Sequence, residues 1–190
     1  MVTGHAYPQA ASPPATAGYA EPKLLQLNQK DGTFCDASAQ AGSALTERRV
    51  PRGVAVGDLF NDGHMDIVIE DLDGKPMVLR NPGIPGNHWV GFELAGTKSN
   101  RLAIGARLKI VAGGITQTEQ IHSGGSYLSQ PDLTVHFGLG TAARIESVEI
   151  HWPSGAVEVL KDLAADQFYS VLEGKGIVTP EAIRPKPVSR

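Results

Sequence analysis

Asp58, Asp62 and Asp66 stand around a glycine in the stretch Asp58-Leu59-Phe60-Asn61-Asp62-Gly63-His64-Met65-Asp66. Calcium is a hard cation that takes roughly six to eight oxygens, so a loop that holds it must space carboxylates and use glycine to turn sharply. The three carboxylates and the backbone carbonyl of His64 meet part of that need, with water supplying the rest. Phe60 brings no side-chain oxygen and Asn61 beside it points the other way. The expected calcium affinity is therefore weak, roughly 10⁻⁴ to 10⁻³ M. Ile69 stands where an EF-hand would place its final glutamate, so the loop is not of that kind. The same residues also serve as plain turn chemistry, with Asp58 and Asp62 capping the bend at Asn61-Asp62-Gly63.

A second polar block runs Ser123-Gly124-Gly125-Ser126-Tyr127-Leu128-Ser129-Gln130, with His122 and His136 nearby. A nucleophilic serine needs a base within hydrogen-bond reach and an oxyanion hole, usually on a strand-to-helix elbow. Ser-Gly-Gly-Ser is not that elbow and no helix follows it. The favoured reading is a tight bend whose hydroxyls satisfy backbone groups. A polar ligand contact through Ser126, Tyr127 and Gln130, joined by Arg107, is the sharper one, and Arg107 could instead pair with an acidic residue inside the domain. His88, His122, His136 and His151 fall on different predicted strands without short spacing, which gives a zinc site little support. Trp152 shares strand parity with Val148 and Ile150 and reads as core; a sugar-stacking platform is the alternative. Cys35 reads as an ordinary half-buried residue.

These residues need short strands to hold them. The chain has 22 glycines and 13 prolines among 190 residues and few long helix-forming runs, so the class should be all-β. A net charge of -3 offers no field for a nucleic-acid backbone, and no run is long and apolar enough to span a membrane. One cysteine excludes an internal disulfide and leaves the compartment open. No apolar run of signal-peptide length with a basic lead-in opens the chain, so an export signal is not expected in it.

Residues 1–22 read as a flexible lead. Residues 23–81 hold five or six short strands, beginning with a hairpin from Leu24 to Asp36 around Asp31-Gly32 and including a buried strand at Ile67-Val68-Ile69. Residues 82–86, with Pro82, Gly83, Pro85 and Gly86, form the best linker. From 87 to 173 the alternation is clear. Val90, Phe92 and Leu94 share one face, as do Leu108 and Ile110, then Leu133, Val135 and Phe137, then Val148, Ile150 and Trp152. About seven strands result, enough for a small sandwich or barrel. Residues 174–190 read as a loose tail.

Ile104-Gly105-Ala106-Arg107, the serine block, Leu133-Thr134-Val135-His136-Phe137-Gly138-Leu139-Gly140 and His151-Trp152-Pro153-Ser154-Gly155, in this order, resemble the ASPIC/UnbV domain. Gly57-Asp58, Asn61-Asp62-Gly63 and Asp66-Ile67-Val68 resemble an FG-GAP or VCBS repeat, about one blade of an integrin-like β-propeller. In that repeat's nine-residue loop Asp58, Asp62, Gly63 and Asp66 take positions 1, 5, 6 and 9, His64 takes position 7, and Phe60 occupies a usual oxygen position. The resemblance implies a partial blade followed by the ASPIC/UnbV β domain. It also implies a non-catalytic, calcium-dependent binding or adhesion module, the C-terminal portion of a larger protein that is extracellular, periplasmic or at a cell surface. Its partner would be a protein or glycan at a surface. A lone blade leaves edges and an apolar face to be covered, by the β domain or by self-association. The alternatives are an accessory enzyme or ligand-binding protein acting on a carbohydrate or natural-product intermediate, and a purely structural propeller cap.

Overall fold

A computed structural model describes residues 20–29, 31–72 and 74–183. Most of the lead expected over 1–22 and the end of the tail expected over 174–190 lie outside the described residues, as does Lys30 of the first turn. The described chain is nearly all β. Thirteen strands stand against two four-residue helices, and no described helix is long and apolar enough to cross a membrane.

By packing the chain divides into two compact units whose membership does not follow chain order. The first takes the residues up to Val56 together with Asp66–Arg80 and Gly124–Pro131. Strand β1 (Gln26–Asn28) pairs antiparallel with β2 (Phe34–Asp36), Leu27 facing Cys35 across the ladder. The Asp31 carboxylate fixes the turn between them by accepting the backbone N–H and hydroxyl of Thr33 at 2.9 and 2.6 Å. Every residue of these two strands is exposed, Cys35 included, because two strands alone present no second layer. Helix α1 (Ser43–Thr46) follows, and buried Lys23 closes its C-terminal end by donating from Nζ to the Ala44 and Glu47 carbonyls. Strands β3 (Pro51–Gly57), β4 (Asp66–Asp71) and β5 (Met77–Leu79) form a three-stranded sheet in that order, the last pair antiparallel. Ile69 is buried, at the centre of the strand expected there.

The second unit holds Gly57–Met65, Asn81–Ser123 and the residues from Asp132 onward. It is a sandwich of two four-stranded sheets rather than a closed barrel. One sheet runs β11 (Val157–Ala164), β10 (Arg144–His151), β7 (Arg107–Ala112), β8 (Ile115–Gln120). The other runs β13 (Gly176–Val178), β12 (Gln167–Leu172), β6 (His88–Ala95), β9 (Val135–Gly140). Neighbouring strands in these two sheets are antiparallel except β12 with β6, which is parallel. Alternate residues point to opposite faces of a strand. Val90, Phe92 and Leu94 therefore meet Leu108 and Ile110, Val135 and Phe137, and Val148 and Ile150 in one core, to which Trp152 adds its ring. Burying such side chains stabilises the layer pair by roughly 1.5–3 kcal/mol for each large residue.

Residues 174–183 are not a loose tail. They form β13 and helix α2 (Pro180–Ile183), and Ile183 is buried against Ala95 and Leu172. Helix α2 is one turn long, too short to leave a periodic signature.

Candidate functional site

The acidic loop between β3 and β4 is built by its own carboxylates. Asp58 accepts the backbone N–H of Asp62 on Oδ1 at 3.1 Å and of Gly63 on Oδ2 at 2.8 Å, and Asp62 Oδ1 accepts the N–H of His64 at 3.1 Å. Asn61 and Gly63 turn the chain with φ of 53° and 82°. Gly63 is required twice over. Beyond its positive φ, a Cβ there would stand 1.8 Å from the Trp89 ring. The Gly63 carbonyl lies 2.6 Å from His136 Nε2, and the His136 ring stacks on Trp89 at 5.5 Å and 9°. The loop is thus seated on the outer face of β6 and β9. Burial lowers the pKa of His136 below its ordinary 6.5, helped by His64 and opposed by the Gly63 carbonyl and Asp58. A neutral ring donating from Nε2 to the carbonyl satisfies both groups.

An ionised carboxylate offers about four acceptor directions. Asp58 therefore keeps capacity for a hard cation beyond the two N–H groups it holds, Asp62 also faces His64 Nδ1 at 3.4 Å, and His64 contributes its carbonyl. Among the described residues no three His, Cys, Asp or Glu side chains gather at metal-ligand spacing. An ion would have to draw the carboxylates inward against the turn they now cap. Phe60 is half exposed and adds no oxygen. Asp66, 0 % exposed, opens β4 in the other unit.

The serine block takes a tight turn. Gly124, Gly125 and Leu128 have φ of 77°, 116° and 47°, and Ser126 bridges Ser129. Ser129 Oγ donates to the Tyr127 carbonyl at 2.9 Å. Gln130 accepts the Gly124 N–H at 2.7 Å and donates to the Pro131 carbonyl at 2.8 Å. Hydroxyl and amide are spent on the turn, and its tip projects, with Tyr127 64 % and Leu128 87 % exposed. The turn packs over Gly53 of β3, where a Cβ would meet Ser129 Oγ at 2.6 Å and the Tyr127 carbonyl at 3.3 Å.

Arg107 belongs to the sandwich unit, whereas Ser126, Tyr127 and Gln130 belong to the other. Among the described residues Arg107 makes no ion pair; it is exposed on β7, opposite His151 and Gln120. The histidines are placed apart. His88 Nδ1 lies 2.7 Å from Asp166, His122 Nδ1 lies 3.0 Å from the Gln120 carbonyl, and His151 pairs with Glu149. Trp152 is buried as its parity required, and its indole N–H meets no acceptor among the described residues.

Sequence reasoning passed over Glu173. It follows β12 and is 3 % exposed. Its Oε2 accepts the backbone N–H groups of Thr97, Lys98 and Ser99 at 2.7, 2.7 and 2.8 Å, and its Oε1 accepts the hydroxyls of Ser99 and Ser154 at 2.9 and 2.5 Å. Burial alone would raise its pKa. The hydrogen bonds from Ser154, Ser99 and Thr97 outweigh burial and hold it at about 2. This carboxylate fastens the His151-Trp152-Pro153-Ser154-Gly155 turn to the turn after β6. An acidic residue directly after the apolar run Val171-Leu172 was the available signal.

Residues 96–178 match the family model described as ASPIC and UnbV. Cartilage acidic protein 1 of Mus musculus and that of Homo sapiens are each 30 % identical to the chain over 136 residues. The match covers 70 % of this chain and 21 % and 20 % of theirs. The Xenopus tropicalis protein is 26 % identical over 159 residues, 82 % of this chain and 22 % of its own. The chain spans about a fifth of the length of the curated relatives it matches.

Proposed function

We propose that the chain is a non-catalytic binding module, placed outside the cell or at its surface, in which an ASPIC/UnbV sandwich follows part of an FG-GAP-like blade. Cartilage acidic protein 1, by its name a protein of cartilage, supports the location. The observation that carries the non-catalytic part is how Ser129 and Gln130 of the serine block are bonded. Ser129 and Gln130 serve their own turn, and its exposed tip offers contact surface instead of a nucleophile. Calcium dependence rests on the acidic loop, where an ion would draw Asp58 and Asp62 inward from the turn they now cap, at a roughly 10⁻⁴ to 10⁻³ M affinity. The partner is a protein or glycan at a surface.

Calorimetric calcium titration of the chain beside Asp62→Ala, with melting temperature followed in parallel, tests this reading. Heat and a raised melting temperature in the parent alone are expected, together with chelator-reversible retention on immobilised matrix protein or glycan. Retention that ignores chelator, with no calcium heat, removes calcium from the function.

A further inference from the structure

The sandwich unit carries an open pocket of about 250 Å³ beside the acidic loop, between the start of β6 and the end of β9. This volume is just under the roughly 300–1,000 Å³ typical of sites for drug-sized ligands. It suits one small ring. None of the lining residues is Lys, Arg, Asp or Glu, so no permanently charged side chain lines the pocket. Trp89, Met65 and Ile84 supply apolar wall, while Asn87 and His88 supply hydrogen-bonding groups. Asp166 holds His88 through Nδ1 at 2.7 Å and so orients its Nε2 as the ring's other hydrogen-bonding atom. The Asn87 amide both donates and accepts. Hydroxyl groups, each a donor and an acceptor on an otherwise C–H-covered ring, match this combination better than any charged group. The ridge of Trp89, His136 and Phe168 on the same sheet face, with Phe168 42 % exposed, continues the apolar surface beyond the pocket.

We propose that this pocket takes one residue of a neutral sugar, so that the chain recognises uncharged glycan. The proposal rests on the binding-module reading and gives that module its ligand class. Gly138 lies on the β9 face that carries His136, and a Cβ there meets nothing within 4 Å. A side chain at this position would fill the pocket without straining the strand, and in this glycan site the bare glycine keeps the mouth open.

The chain has two tryptophans, Trp89 and the core Trp152, so Trp152→Phe leaves Trp89 as the sole fluorescent reporter at the pocket. In that background methyl glucoside, methyl galactoside and methyl mannoside are titrated, beside glucuronate and glucosamine as charged probes. A saturable change with at least one neutral glycoside is expected, with a Kd on the order of 1 mM. Gly138→Val should weaken it at least tenfold, and Asn87→Ala, on an exposed side chain, severalfold. No response up to about 50 mM of any neutral glycoside overturns the proposal, as does preference for a charged probe. An unchanged response in both folded pocket variants overturns it too. A chain that binds calcium but ignores every glycoside loses this proposal alone, whereas glycoside binding without any calcium response removes only the calcium part of the function.

Discussion

Glu173→Gln keeps the shape of the side chain and removes its charge. Of the two amide orientations, the one that leaves the oxygen facing the N–H groups of Thr97, Lys98 and Ser99 is favoured, because the hydroxyls of Ser99 and Ser154 can rotate to accept from the amide nitrogen. What is lost is charge assistance. Hydrogen bonds to ionised groups contribute roughly 1.5–3 kcal/mol against about 1 for neutral ones, and they do not add fully. A second route to the magnitude starts from the pKa, held at about 2 against an ordinary 4.5. That difference corresponds to roughly 3 kcal/mol of folding free energy. Thr97 and Lys98 are exposed, so solvent screens part of it, and about 2 kcal/mol is expected at pH 7. For a unit of this size the melting temperature should fall by about 10 °C. The sign of the pH dependence follows from the lowered folded pKa. The stabilisation is whole above the ordinary value of 4.5 and is lost as pH falls from there towards 2, because the unfolded chain binds the proton first. Urea unfolding of parent and variant at pH 7, 4.5 and 3 measures the difference, and taking the difference cancels the other carboxylates. Equal midpoints at pH 7, or a gap that stays constant down to pH 3, would refute the reasoning.

Gly63→Ala must accept a left-handed backbone and push on Trp89, so a loss of roughly 2–4 kcal/mol with shifted Trp89 fluorescence is expected; an unchanged melting temperature would count against the seating of the acidic loop. Gly53→Ala meets mainly a hydroxyl that can rotate away, so about 1 kcal/mol in urea is expected, rising to about 2 for Gly53→Val. Two variants as stable as the parent would show that the Ser126–Ser129 turn does not rest on β3.

The sandwich was legible because its strands are long and one-sided. Val90, Phe92 and Leu94, or Val148, Ile150 and Trp152, reach the core by parity alone, and Gly113-Gly114 marks the β7–β8 hairpin without tertiary help. The serine block was legible as a bend for the same local reason, since Gly124 and Gly125 carry the backbone conformations that the turn demands. What escaped depends on distant partners. Nothing near Glu173 announces that its backbone donors lie more than 70 residues upstream, and nothing near His136 announces Gly63. Arg107 could be placed on a strand but not on a side of it with an acid, and local pattern is silent on which sheet a turn will pack against.

The division of the chain between its units bears on how it folds during synthesis. The first unit lacks Gly124–Pro131 until nearly half of the second unit has been made, and the second unit takes Gly57–Met65 from among the strands of the first. Neither can finish before the other begins, so the vectorial, one-domain-at-a-time order open to beads on a string is closed here. Such long-range closures raise contact order and slow folding. A nascent chain halted at residue 123 should remain protease-sensitive over β3 to β5, and addition of the next eight residues should protect these strands.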